Sequence, residues 1–205
     1  MSQLEIMTNE NDELVFLKGG RQLTSRILES KAARRVKECA LICTELDDSI
    51  YWLKELKELV THNTISLNDK TDESEKFARD TRAYFTSACV TYFKFFTHGF
   101  GMSVKVDANK IYDKSQLEIH NSVEELRHKL IAHIDVSEDF THELYAIEDP
   151  EKEFKPSIVP FFSRTNHFFD EKLDSFIELV EFLKDYFHSQ YEGAGKSLMK
   201  ETFGK

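Results

Sequence analysis

The chain has 205 residues, a net charge of −10 at pH 7 and a sequence pI of about 5.3. This length suits one domain with a single sizeable core, and the acidic balance disfavours broad, nonspecific binding to nucleic-acid phosphates. Gly and Pro are scarce, at 7 and 3 residues, whereas Phe is abundant at 17. The composition therefore predicts long helices around an aromatic-rich core and disfavours a turn-rich β-sandwich.

Neither a membrane segment nor a secretory signal is visible in the sequence. Apolar runs such as 40–43 fall far short of the roughly 18 residues that a membrane span needs, and the N-terminus lacks a basic segment followed by an apolar one. Three cysteines, Cys39, Cys43 and Cys89, show no framework spacing. We therefore expect reduced thiols in a cytoplasmic protein.

The N-terminal part of the chain predicts an arm followed by a long helix. Residues 1–22 are mixed and polar, which is typical of a flexible arm. Apolar residues then recur at three- and four-residue steps and predict a helix at about 24–60, capped by Thr24 or Ser25. At 1.5 Å per residue this helix would be about 50 Å long, so part of it would protrude or pack on another subunit.

Two further helices are expected in the middle of the chain. A polar linker at 61–73 precedes a helix at about 74–98, whose aromatic residues cover the wide arc of a central core helix. A third helix is expected at about 115–133, with an inward-facing apolar stripe. That stripe consists of Ile119, Val123, Leu126 and Leu130.

The C-terminal third of the chain changes character twice. Segment 143–165 contains Pro156 and Pro160, which are excluded from a helix interior, so we expect a small β-hairpin or an irregular insert there. Regular three-four spacing then predicts a last helix at about 166–190, and 193–205 is expected to be a flexible tail. These elements predict an all-α fold, a bundle of four to five long helices formed by residues 23–192.

Two familiar motifs fail on their spacing. Gly195, Lys196 and Ser197 resemble the end of a phosphate-binding loop, but the required earlier glycine position holds Gln190 and the stretch follows a helix. Cys39 and Cys43 lie one turn apart without a second ligand pair, so we expect no metal site and no cofactor. Six further histidines are dispersed, and we expect them at surface or boundary positions: His62, His98, His120, His142, His167 and His188.

The remaining candidate is "LRHKLIAHID" at 126–135, which closes the third predicted helix. One interpretation is a solvated helix end. Glu124 and His128 form an i,i+4 pair, as do Glu125 and Lys129, and cations near a helix C-terminus are favoured by the helix dipole. Under this interpretation the stretch has no catalytic role.

The other interpretation is metal-independent RNA cleavage. That chemistry needs a base for the ribose 2′-hydroxyl, an acid for the leaving oxygen and a cation for the phosphorane; His133 suits the first two roles and Arg127 the third. On an ideal helix the two side chains lie roughly 120° apart and about 9 Å along the axis. They would therefore act together across a dimer axis or at a distorted helix end.

The stretch also resembles a family pattern. An Arg, a short spacer and a His closing a long helix in an all-α chain is similar to the HEPN superfamily, and Arg-x-Lys-x-x-Ala-His-x-Asp is typical of its abortive-infection members. The resemblance covers about 30–190 as an order of helices and is at the level of a motif only at 126–135. Arg127 and His133 match its two defining positions, and Lys129 and Asp135 match the longer pattern. His128 departs from the usual Asn or Asp.

This resemblance implies a bundle that forms a homodimer through the motif-bearing helices. It also implies a metal-independent endoribonuclease of a toxin or phage-defence type, with RNA as substrate and an antitoxin as partner. Arg127 and His133 would be catalytic, and His128, Lys129 and Asp135 would support the cleft. Many members act instead as non-catalytic dimerisation, nucleotide-sensing or protein-interaction modules, and that alternative stays open.

Overall fold

The computed structural model describes residues 3–62, 71–97, 102, 104, 106–128, 140–147, 155, 157–164 and 171–204. Within these residues the fold is mainly helical, with two small antiparallel sheets. The strands are β1 (Leu4–Thr8), β2 (Leu14–Lys18), β3 (Arg21–Gln22), β4 (Phe140–Ile147) and β5 (Ser157–Arg164). The helices are α1 (Lys31–Thr61), α2 (Asp72–Phe93), α3 (Ala108–Ile111), α4 (Lys114–Arg127) and α5 (Glu171–Phe203).

The core lies where α1, α2 and α5 pack together. Buried side chains on α1 recur at three- and four-residue steps, as the sequence predicts. Its N-terminus is Lys31 and not residue 24, because Ser30 is the cap: the Ser30 hydroxyl accepts a hydrogen bond from the Ala33 N–H at 3.2 Å. The largest fully buried side chains include Tyr92, Phe93, Phe176, Phe187, Ile42 and Leu46.

Helices α1 and α5 run in opposite directions along each other. Arg35 near the start of α1 donates to Gln190 on α5, and Lys57 near the end of α1 pairs with Asp174 near the start of α5. These pairs lie at the surface, so each contributes little to stability. The buried apolar side chains of the two helices belong to one hydrophobic cluster, and their burial stabilises the pair.

Helix α4 begins with a capping box and packs against α2 and α5. The Asp113 carboxylate accepts from the Gln116 N–H at 2.9 Å, and the Gln116 side chain accepts from the Asp113 N–H at 3.1 Å. His120 and Val123 are the buried residues of α4. The helix thus positions the start of the predicted motif, up to Arg127, beside the core. Residues 129–133 of the predicted helix lie outside the described residues.

The prediction of an arm at 1–22 missed a three-stranded antiparallel sheet, β1-β2-β3. The turn between β1 and β2 is held by the Asn9 side chain, which accepts from the N–H groups of Asn11 and Glu13 at 2.9 Å. Gly19 and Gly20 both have positive φ and form the tight second turn. Some of the polar residues that suggested an arm lie in the turns, Asn9 and Asp12 among them, and others lie within the short strands.

Residues 193–203, which the sequence places in a flexible tail, belong to α5, because this helix continues to Phe203. Gly193 and Gly195 weaken a helix but do not end it when the neighbouring residues are good helix formers. The helix ends at Gly204, which has φ 68° and whose N–H donates to the Lys200 carbonyl oxygen at 2.9 Å.

The predicted insert near 143–165 is confirmed as a hairpin, since β4 and β5 pair in antiparallel register from Phe140–Arg164 to Ile147–Ser157. The prediction of an all-α fold therefore becomes a mainly helical one with small β additions at two places. None of the helices in the described part of the chain has both the length and the apolar character needed to cross a bilayer.

Candidate functional site

Arg127 is the last residue of α4 and lies against the core. Its guanidinium carbon is 5.5 Å from the centroid of the Phe93 ring, on α2, and the residue is half-buried. An Arg over an aromatic face is attracted by the ring, by about 0.5–1 kcal/mol at exposed sites and by more when it is desolvated. A cation in the last turn also suits the helix dipole. Arg127 is therefore held in place, unlike a solvated side chain at a helix end.

The Arg127 guanidinium has no carboxylate partner among the residues that the structure describes. This is notable in a chain with 37 acidic side chains. Burial without a counter-charge is unfavourable for a cation, and a guanidinium presents a planar fork of donors that fits phosphate or carboxylate oxygens. The arrangement is thus suited to holding an anion.

His128 follows Arg127 and forms the C-cap of α4. Its backbone N–H donates to the carbonyl oxygens of Glu124 and Glu125, and its side chain is exposed. The ion pair expected between Glu124 and His128 is not formed within the described residues. Lys129, His133 and Asp135, the other predicted site residues, lie outside the described part of the chain.

Next to Arg127 lies a buried polar cluster that sequence reasoning missed. The Tyr92 hydroxyl is 2.8 Å from the Tyr112 hydroxyl and 2.8 Å from Nδ1 of His120. These three residues are at most 7% exposed. A hydroxyl can donate once and accept as well, so Tyr92 satisfies both partners in a place that water does not reach.

The expectation that His120 lies at the surface or boundary is wrong. Its ring is surrounded by Phe93, Phe96 and Tyr112, with ring centroids 4.6–5.6 Å away. Burial lowers the pKa of His120 below its ordinary value, and the nearby charge of Glu124 opposes that shift only in part. Burial likewise raises the pKa of the Tyr92 hydroxyl well above its usual range. The cluster is therefore neutral at physiological pH.

One signal in the sequence could have indicated this burial. His120 is three residues before Val123 and seven before Arg127, so all three lie on one face of the helix. The partners in the cluster, Tyr92 and Tyr112, are far away in the chain and carry no such signal.

Phe93 joins the cluster to Arg127. The Phe93 ring contacts both side chains: its centroid is 5.2 Å from that of the His120 ring, and the Arg127 guanidinium lies over it. Arg127 also lies near the buried Cys89, since its charge partly offsets the rise that burial causes in the pKa of that thiol. Arg127, whose guanidinium is chemically suited to an anion, thus rests on a neutral aromatic cluster.

The described residues contain no group of three His, Cys, Asp or Glu side chains that could hold a metal ion. The free thiols of Cys39 and Cys89 are buried and that of Cys43 is half-buried, and burial raises the pKa of all three. Raised pKa values favour unreactive thiols.

Comparison with protein-family models, with curated proteins and with solved structures finds no match for this chain.

Proposed function

We propose that this chain is a HEPN-like, homodimeric endoribonuclease that acts without a metal ion. In this proposal Arg127 binds the scissile phosphate and His133 serves as acid or base, with His128, Lys129 and Asp135 in support. The observation that carries it is the half-buried Arg127 guanidinium, fixed on Phe93 without a carboxylate partner among the described residues. A toxin or phage-defence role with an antitoxin partner in the cytoplasm is part of the same proposal.

The reaction follows from the properties of the two side chains. A base removes the proton of the ribose 2′-hydroxyl, the 2′-oxygen forms a bond to phosphorus, and the bond from phosphorus to the 5′-oxygen breaks. An acid gives a proton to the departing 5′-oxygen. The products are a 2′,3′-cyclic phosphate on one RNA fragment and a 5′-hydroxyl on the other. An imidazole can fill either proton-transfer role, and two His133 side chains across a dimer axis would fill both. Arg127 stabilises the charge that develops on the phosphorane.

The direct test measures cleavage of single-stranded RNA in EDTA. We expect His133→Ala to reduce the rate by about 10²–10⁴-fold, the usual contribution of acid–base catalysis, and Arg127→Ala to reduce it strongly as well. Arg127→Lys should not restore the rate, because an ammonium lacks the bidentate fork. Equal activity of the wild type, Arg127→Ala and His133→Ala would remove the assignment.

Matched controls separate the site from general charge effects. Arg34 on α1 is exposed, and His188 on α5 is exposed and pairs with Glu192. Arg34→Ala and His188→Ala remove the same side-chain types far from the motif in the chain. Both should retain the wild-type rate, so a loss in either control would point to a change in fold or net charge.

A second candidate is a non-catalytic module that binds a nucleotide or another anion at Arg127. It is favoured by His120, the imidazole that shares Phe93 with Arg127, because His120 is buried and hydrogen-bonded to Tyr92 and so is unsuited to proton transfer with a substrate. A nucleotide at 100 times its Kd should stabilise the fold by about 2.7 kcal/mol, which a melting-temperature screen would detect. The shift should disappear in Arg127→Ala. No shift with any nucleotide would contradict this candidate.

A further inference from the structure

A cleft of about 340 Å³ lies between α4 and α5, and its lining includes Val123 and Leu126 of α4 but not Arg127. Its floor is apolar and consists of Phe85 from α2, Val123 from α4, and Leu173 and Phe176 from α5. The Phe85 and Phe176 rings are tilted by 56° with centroids 6.4 Å apart. The volume is at the small end of the range for ligand pockets, which suits a small molecule with one ring.

The α4 rim of the cleft is polar. Ser115, Glu118 and Ser122 recur at three- and four-residue steps and therefore share one face of the helix. Within the described residues, no hydrogen bond or ion pair joins these three side chains to another group. A carboxylate flanked by two hydroxyls is suited to bind an ammonium group, which has three donors.

The α5 rim carries the opposite charge. Lys172, in the first turn of α5, lines the cleft beside Ser175. Glu118 and Lys172 thus place a negative and a positive group on facing walls above the aromatic floor. A ligand with a single charge would match only one of the two walls, whereas a zwitterion matches both.

We propose that this cleft binds a free α-amino acid with an aromatic side chain. The side-chain ring lies on the apolar floor formed by the four side chains from α2, α4 and α5. The ammonium group binds the Glu118 carboxylate and the hydroxyls of Ser115 and Ser122, and the ligand carboxylate faces Lys172. This site is independent of Arg127 and of the proposed nuclease reaction.

Calorimetric titration of the full chain with four probes tests the ligand class. L-Phenylalanine should bind, and glycine, which lacks the ring, should not. Phenethylamine lacks the carboxylate and 3-phenylpropionate lacks the amine, so each should bind at least about tenfold more weakly. The proposal is overturned if phenylalanine does not bind at millimolar concentration, or if either single-charge analogue binds as tightly.

Variants locate the binding in the cleft. Glu118→Gln should weaken phenylalanine binding by about tenfold or more, because the amide carries no charge. The matched control is Glu201→Gln at the far end of α5, where the side chain is exposed, and it should bind as the wild type does. Ser122→Phe fills the cleft and should abolish binding. Unchanged binding in Glu118→Gln, or in Ser122→Phe, would sink the proposal; circular dichroism confirms that both variants are folded.

Discussion

The polar side chains on two faces of α4 differ in whether they have partners within the described part of the protein. On the face toward α2, His120 is hydrogen-bonded to Tyr92 and Arg127 rests on Phe93. On the face toward α5, the side chains of Ser115, Glu118 and Ser122 border a cleft without a partner in the described part of the chain. One helix therefore combines a closed polar network with an open polar rim.

The contrast separates stability from binding. A buried donor or acceptor must find its partner inside the protein, so removing one partner leaves the other unsatisfied at a cost of about 1–3 kcal/mol. A polar group at a solvent-filled cleft is satisfied by water and can exchange that water for a ligand. Substitutions on the first face should thus destabilise the fold, and substitutions on the second should change ligand binding only.

The largest effect is expected for Phe93→Ala. Phe93 is 1% exposed and packs edge-on against Tyr92 at a centroid distance of 4.8 Å. Its loss removes the ring under both His120 and Arg127 and leaves a cavity, so we expect the free energy of unfolding to fall by about 3–5 kcal/mol. Urea titration measures this. Val90→Ala, on the same helix but 48% exposed, should cost less than about 0.5 kcal/mol. Similar losses in both variants would contradict the packing role of Phe93.

A smaller loss is expected for Tyr92→Phe. This change keeps the ring and removes only the hydroxyl that lies 2.8 Å from both Tyr112 and His120. Two buried polar groups then lose their shared partner, which should cost about 1–3 kcal/mol in the free energy of unfolding. The control is Tyr51→Phe on α1, where the side chain is 52% exposed and the same change should be nearly neutral. Equal effects in the two variants would show that the Tyr92 hydroxyl contributes nothing.

The helical framework could be predicted from the sequence because helix packing leaves a local signature. Apolar residues at three- and four-residue steps place α1, α2 and α5 correctly, apart from their ends. The ends depend on single caps, such as Ser30 for α1 and Gly204 for α5, and several residues near each end are plausible caps. The N-terminal sheet was missed because its strands are short and mix polar with apolar residues.

The candidate site could be predicted only in part, for a similar reason. The position of Arg127 on α4 follows from the local helical pattern, whereas the predicted end of this helix was at about 133. The buried group of Tyr92, Tyr112 and His120 is assembled from α2, the residue after α3, and α4, so its members are brought together only by the fold. The cleft between α4 and α5 likewise depends on how two distant helices pack, which residue spacing does not encode.

Because His120 on the buried face of α4 is titratable, its contribution to stability should depend on pH. Burial lowers the pKa of His120 in the folded state below its ordinary value of 6.5, so the unfolded state binds a proton more readily. The neutral ring therefore contributes its full stabilisation above pH 6.5, and that contribution falls as the pH drops below 6.5. The free energy of unfolding of the wild type should therefore fall between pH 7.5 and 5.5, in part because of His120. Glutamine does not titrate in this range, so we expect His120→Gln to lack the part of the fall that His120 causes.

Denaturant titrations of both proteins at the two pH values test this prediction. Carboxylates titrate in both proteins, Glu124 beside His120 among them, so only the difference between their pH dependences reports on His120. We expect that difference to be smaller than the loss for Tyr92→Phe. An identical pH dependence would show that the pKa of His120 is the same in the folded and unfolded states.

The smallest effect is expected for Ser122→Ala, on the cleft face of α4. No described group bonds to the Ser122 hydroxyl, and Ala is the better helix former, so the free energy of unfolding should change by less than about 0.5 kcal/mol. Ser49→Ala on α1 makes the same chemical change at a buried hydroxyl that donates to the Ala88 carbonyl oxygen at 3.0 Å. That change should cost about 1 kcal/mol, the usual net value of such a bond. If Ser122→Ala costs as much as Ser49→Ala, the Ser122 hydroxyl is bonded within the protein, and the open rim proposed for the cleft is lost.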